Sequence, residues 1–189
     1  RGLHNILFEQ IQSCNKAFSN FIEMNYEDLT KKDNNSILSP SVFRNHALPK
    51  IKEGQKVCII IVDCMRCDQF LSVIPYLESL FNIELTYHMS LIPSATPYSR
   101  NAIFSGLYPD ELIKSYPNQE KLFLNSESSL NKYENLFLLD QLKRYNLSSK
   151  RTHYHKIWAI EEGNRFRKKI NDYLNKDILA LVVNFVDML

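Results

Sequence analysis

Long apolar runs are missing from this chain. The two longest, Val57–Val62 and Ile178–Val183, fall far below the roughly 20 residues a helical membrane span needs, so no membrane span is expected. Charge of one sign is missing too. The 23 Lys and Arg against 21 Asp and Glu leave a net charge of +2, too small to argue for nucleic acid or an anionic membrane. Cysteine is sparse, with four residues, three of them crowded at 58, 64 and 67. That is no secreted disulfide framework, and a reducing, cytoplasmic location is expected. The opening RGLHNILFEQ has neither an apolar core nor a small-residue cleavage site, so no secretory leader is expected. Glycine is scarce, at four residues, beside abundant Lys, Asn and Ile, a compositional bias that says nothing of function. No internal repeat or low-complexity segment stands out.

What is present suffices for a core: 44% hydrophobic and 23% charged residues describe a soluble globular chain. Its 189 residues fit one domain with a small appendage. The chain begins with Arg1 and breaks off inside the apolar run DILALVVNFVDML. It is therefore expected to be a piece of a longer protein.

Ile6, Phe8, Ile11, Phe18, Phe21 and Ile22 fall at mostly helical spacing, which predicts one amphipathic helix over 1–25. NYEDLTKKDNNSILSPSVFRNH reads as a polar linker. KVCIIIV is apolar, β-branched and without alternation, which predicts a strand buried on both faces. A helix over 70–81 follows, shortened or kinked by Pro75. IELTYHMSLI predicts a strand, and PYSRNAIFSG a short helix closed by Gly106. Residues 107–127 read as irregular. SSLNKYENLFLLDQLKRY predicts a helix with Ser128 or Ser129 as N-cap, HYHKIWAI a strand, EEGNRFRKKINDYLN a helix and ILALVVNFV a buried strand. The alternation predicts an α/β fold: a largely parallel sheet with helices on both faces, preceded by a helical segment.

Four stretches carry candidate chemistry. Cys64-Met65-Arg66-Cys67 is a C-x-x-C. A redox role needs a thiolate stabilised at a helix N-terminus, and structural zinc needs two further ligands. No second pair exists, and Cys58 is expected to point into the sheet core, so small half-buried hydrophobes are the expectation. Asp63 follows a buried strand. It lies either at the carboxyl edge of the sheet, where it could ligate a divalent metal, or at the N-cap of the next helix. Thr96 precedes Pro97, which suits a helix N-cap. The same position puts a hydroxyl at the positive end of a helix dipole, where it could attack a phosphoryl group. Arg100 and Asn101, one turn on, could reach an anionic substrate. Asp187 repeats the position of Asp63 after another buried strand. Asp63, Thr96 and Asp187 on one sheet edge would make a metal-dependent phosphotransfer site. The five histidines read as structural, with His153 or His155 the exceptions if any. Those two flank Tyr154 and are expected on opposite faces of a strand. Arg165, Arg167, Lys168 and Lys169 read as the solvated face of a helix.

The blocks IIIVDCMRCDQF, LIPSATPYSRNAIFSGLYPDEL, LNKYENLFLLDQL, THYHKI and LVVNFVDML resemble, in order and spacing, a PglZ domain of the alkaline phosphatase superfamily. Within it, the chain resembles PorX-type two-component response regulators of Bacteroidetes. The resemblance covers about 46–189. It implies that 1–45 is the end of a helical bundle and a linker, and that 46–189 is the N-terminal part of an alkaline-phosphatase-like domain, truncated at its C-terminus. It implies two divalent metal ions, expected to be zinc, with Asp63 and Asp187 as ligands and Thr96 as nucleophile or bridging hydroxyl. Arg100 and Asn101 would bind substrate, a nucleotide or oligonucleotide phosphodiester. Further ligands expected downstream are absent from the sequence, so the piece itself is expected to be inactive. The implied partners are a sensor kinase and a sigma factor or secretion regulators serving type IX secretion, with a homodimer also expected. The alternative is a non-catalytic signalling module that binds a partner or dimerises.

Overall fold

The structure, a computed structural model, describes residues 2–31, 38–117 and 131–184. The chain divides into two units, Arg1–Leu38 and Ser39–Leu189. The first contains one helix, α1 (Gly2–Thr30). It runs past the end its apolar spacing predicts, into the expected linker. Side-chain bonds to the preceding turn, such as Asn25 Nδ2 to Phe21 O (2.8 Å) and Thr30 Oγ1 to Glu27 O (2.8 Å), accompany that extension. Its apolar residues Ile6, Phe8, Ile11, Phe18 and Phe21 are exposed.

The second unit is built on three parallel strands, β1 (Val57–Val62), β2 (Thr152–Ile157) and β3 (Ile178–Val183), in the order β1-β3-β2. Val62 and Ile157 both pair with Val183, so the three strands end together at one rim. Parallel neighbours require crossovers. Between β1 and β2 run α3 (Cys67–Leu77), α4 (Thr96–Ser105), α5 (Pro109–Ser115) and α6 (Glu134–Arg144). Between β2 and β3 run α7 (Ile160–Lys168) and a 3-10 turn, Ile170–Tyr173. Ahead of β1, the described end of the expected linker holds a 3-10 turn (Ser39–Ser41) and enters a π-helical turn (Phe43–Ala47), and α2 (Leu48–Lys52) follows it. Among the described residues, no helix is long and apolar enough to cross a membrane.

The α/β architecture is the one the alternation predicts. The main core lies on one face of the sheet, where Phe104, Phe137, Leu138 and Leu142 pack on Ile178, Ala180 and Val182. A smaller cluster of Ile157, Phe166 and Leu181 lies on the other face. β3 is the central strand. β1 departs from the expectation of burial on both faces: Val57, Ile59 and Ile61 pack against the core, while Cys58 is exposed and Ile60 is 58% exposed. An apolar run does not declare how many neighbours it will have, and among the described residues β1 pairs with β3 alone.

Other boundaries move for local reasons. IELTYHMSLI forms no strand beyond a single bridge at Met89, because β-branched alternation makes a ladder only where a partner strand lies alongside. α3 starts at Cys67, with Arg66 as cap donating its N–H to Gln69 Oε1 at 2.9 Å. It ends two residues after Pro75, which removes one helical donor. The supposedly irregular stretch contains α5, started by Pro109 and by Glu111 accepting the Tyr108 N–H at 3.0 Å. α6 is preceded by Tyr133; Ser128 and Ser129 lie outside the described residues. Gly106 does close α4, at φ 64. A Cβ there would strike the Gln141 side chain, so conformation and space both require glycine.

Candidate active site

β1 delivers Asp63 to the carboxyl rim of the sheet. The Asp63 N–H donates to Val183 O at 2.9 Å, extending the ladder one step beyond the strand. Cys64 then turns the chain at φ 55, a left-handed conformation uncommon outside glycine. Since Arg66 caps α3, Asp63 does not serve as that cap. β3 delivers Asn184 to the same rim, its N–H donating to Ile157 O at 2.9 Å.

α4 arrives with its N-terminus. Ala95 is the N-cap, Thr96 the first helical residue, and no side chain caps the helix. The capping role the sequence allows for Thr96 is not taken, and its side chain is half-buried on the first turn. Arg100 and Asn101 follow one turn later, at 3% and 1% exposure.

Arg100 is the hub. Its Nη1 donates to Asp63 Oδ2 at 2.6 Å and to Asn184 Oδ1 at 2.9 Å, and its Nε donates to Glu134 Oε1. Glu134, the fully buried first residue of α6, also receives the Tyr154 hydroxyl at 2.5 Å on Oε2. Lys156 Nζ lies 2.9 Å from the same oxygen and donates to Asn131 O at 2.5 Å. Burial, reinforced by the Glu134 carboxylate, pushes the Tyr154 hydroxyl well above its ordinary pKa, so it remains a protonated donor. Two cations and two carboxylates thus alternate through the network. A buried charge is tolerable only when paired and hydrogen-bonded in this way.

Thr96 and Arg100 are four residues apart on α4 and so share one helix face. Arg100 touches Asp63, so the contact to the rim is made one turn after Thr96. Asp187 lies outside the described residues. Sequence reasoning missed Glu134, Tyr154, Lys156 and Asn184. Asn184 could have been found, since it follows a buried strand as Asp63 does. Glu134 opens an apolar helix, which reads equally well as an ordinary first-turn acid.

Asp63 and Thr96 offer oxygen donors, the hard chemistry that suits divalent cations. A carboxylate accepts up to about four contacts, and Arg100 is one of the partners of Asp63. The donor types fit a divalent metal, although among the described residues no three His, Cys, Asp or Glu come together as a metal-binding group.

The remaining candidates lie elsewhere. Cys64 and Cys67 are exposed thiols. Cys58 stands on the outer side of β1 rather than in the core, and partial burial raises its thiol pKa. His153 and His155 are two residues apart and therefore share one strand face, contrary to the expectation of opposite faces. Their ring centroids are 6.0 Å apart, and they stack on Tyr173 and Phe166 at 4.4 and 4.9 Å. Tyr154, between them, reaches Glu134 on the other side. Burial chiefly, with smaller effects of His155 and Lys176, lowers the pKa of His153. Arg165, Arg167, Lys168 and Lys169 are exposed on α7 and just beyond it.

Residues 42–189 match the BREX system PglZ alkaline phosphatase-like domain, well over half of the chain. The chain belongs to the PglZ family. No curated protein matches it. The PglZ assignment agrees with a parallel sheet whose rim carries Asp63 against Arg100 of α4. The alkaline phosphatase-like superfamily usually works with divalent metals, which agrees with the oxygen donors of Asp63 and Thr96.

Proposed function

We propose that this PglZ domain is a metal-dependent phosphodiesterase or phosphatase effector of a PorX-type response regulator signalling to type IX secretion. The observation that carries the reading is the Arg100 hub, which ties Asp63 and Asn184 at the sheet rim to the helix that begins with Thr96. A divalent metal, with zinc as the proposed ion, would stabilise charge on the phosphoryl oxygens when held by Asp63, Thr96 and Asp187. Thr96 Oγ1 attacks phosphorus, giving up its proton to solvent. The bond to the leaving alkoxide breaks with its electron pair, and water then hydrolyses the threonine ester. α4 aims its positive end at the developing anion. Arg100 and Asn101 are the proposed substrate-binding residues, Arg100 acting through Asp63. A nucleotide or oligonucleotide phosphodiester is the proposed substrate. A sensor kinase and a sigma factor or secretion regulators are the proposed partners.

The test is hydrolysis of bis-p-nitrophenyl phosphate by the full-length protein. Wild type should turn over, Thr96→Ala should lose at least about 100-fold, consistent with removal of a nucleophile, and a chelator should abolish activity. Retained activity in Thr96→Ala refutes the mechanism. One observation favours a second reading, a non-catalytic module: Asp63 is already paired with a buried arginine. A full-length protein that binds no metal and hydrolyses nothing would support it.

A further inference from the structure

The buried network holds Asp63, Arg100, Glu134 and Lys156, whose formal charges alternate and sum to zero. Stability alone does not call for it, since replacing buried ion pairs with apolar packing is often neutral or stabilising. What the arrangement does is connect distant elements to one carboxylate. Lys156 and Tyr154 come from β2, Glu134 from α6 and Arg100 from α4, and the chain of contacts ends on Asp63.

We infer that Glu134 and Lys156 are positioning residues that set, through Arg100, how much negative charge Asp63 presents at the rim. The Glu134 carboxylate balances Arg100 from behind. When Glu134 loses its charge, Arg100 bears on Asp63 undivided and the network carries +1. When Lys156 loses its charge, Glu134 answers Arg100 alone and the network carries −1. Coulomb's law then fixes opposite signs for the two changes at any cation-binding site that uses Asp63. This rests on the metal-dependent reading of the rim proposed above.

The experiment titrates Zn²⁺, and separately Mn²⁺, into the full-length protein against a chromophoric chelator. Glu134→Gln should weaken binding about ten-fold and Lys156→Met should tighten it about ten-fold, while both lower the melting temperature. A merely structural role predicts the common loss of stability without the opposite shifts in Kd. Shifts of the same sign, or none, in a wild type that binds metal overturn the inference and leave the metal-dependent reading standing. A wild type that binds neither ion overturns that reading and the inference with it. If Glu134→Gln does not fold, the sign for Lys156→Met decides: tighter binding supports the inference, and weaker or unchanged binding refutes it.

Discussion

The guanidinium of Arg100 holds the carboxylate of Asp63 at 2.6 Å, with both side chains largely withdrawn from water. That single contact fastens a helix to the end of a strand, and it dictates what removing the arginine should do. Arg100→Met leaves two carboxylates, Asp63 and Glu134, without their shared cation. The expected loss is about 3–5 kcal/mol in urea unfolding, the cost of breaking a buried pair from one side. Arg100→Lys should recover only part of it, because a point charge cannot reproduce the guanidinium fork. A loss below about 1 kcal/mol for Arg100→Met would show that the network is not a structural unit.

Gly106→Ala should destabilise by more than about 1 kcal/mol, the scale for a side chain forced into a left-handed conformation. The added methyl would also displace Gln141, which is fully buried. Gly54 makes the control: its φ is 80, but a Cβ there meets nothing within 4 Å. Gly106→Ala should therefore lower the melting temperature more than Gly54→Ala does. Equal shifts would remove packing against Gln141 as a cause.

Acid should loosen the start of the sheet. Asp177 precedes β3 and accepts from the Arg151 backbone at 2.9 Å and from its guanidinium at 3.2 and 3.0 Å. The Arg151 side chain, followed by its backbone N–H, holds the Asp177 carboxyl down to about 2. A depressed carboxyl pKa adds stability above the unfolded value of about 3.9 that disappears as pH falls through the folded value. Asp177→Asn should thus be less stable than wild type at neutral pH, and the gap should close between about pH 4 and pH 2. A gap that persists at pH 2 would mean the charge is not the cause.

His153 should act in a higher pH window. Its folded pKa lies below the ordinary value because burial disfavours the imidazolium. The unfolded chain therefore takes up a proton first, and stability falls as pH drops below about 6.5 toward the folded pKa. His153→Gln should flatten that part of the stability curve. A carbon-detected histidine titration should place the His153 midpoint below the ordinary histidine value of about 6.5; a midpoint at or above it contradicts the burial argument.

Cys64→Ser with Cys67→Ser should leave the melting temperature within about 0.5 kcal/mol equivalent of wild type, the range of surface substitutions. Both thiols are exposed. A large loss, or a loss of phosphodiester hydrolysis, would restore the thiol pair as a functional element.

Much of this protein could be read from its residues in order. Apolar runs of six residues alternating with amphipathic stretches specify parallel strands and crossover helices. Gly106 announces the end of α4, because few other residues accept its backbone. The acid after β1 and the Thr-Pro step that opens α4 mark where chemistry could sit, since strand ends and helix starts are defined by neighbours along the chain. Only the tertiary structure decided which side of each strand is covered, that IELTYHMSLI makes a single bridge rather than a ladder, and that Arg100 turns inward. The hub joins residues at 63, 100, 134, 154, 156 and 184. Pairings over such separations leave no periodicity in the sequence. They arise when crossovers bring strand ends and helix starts to one rim, where a buried charge must find its counter-charge.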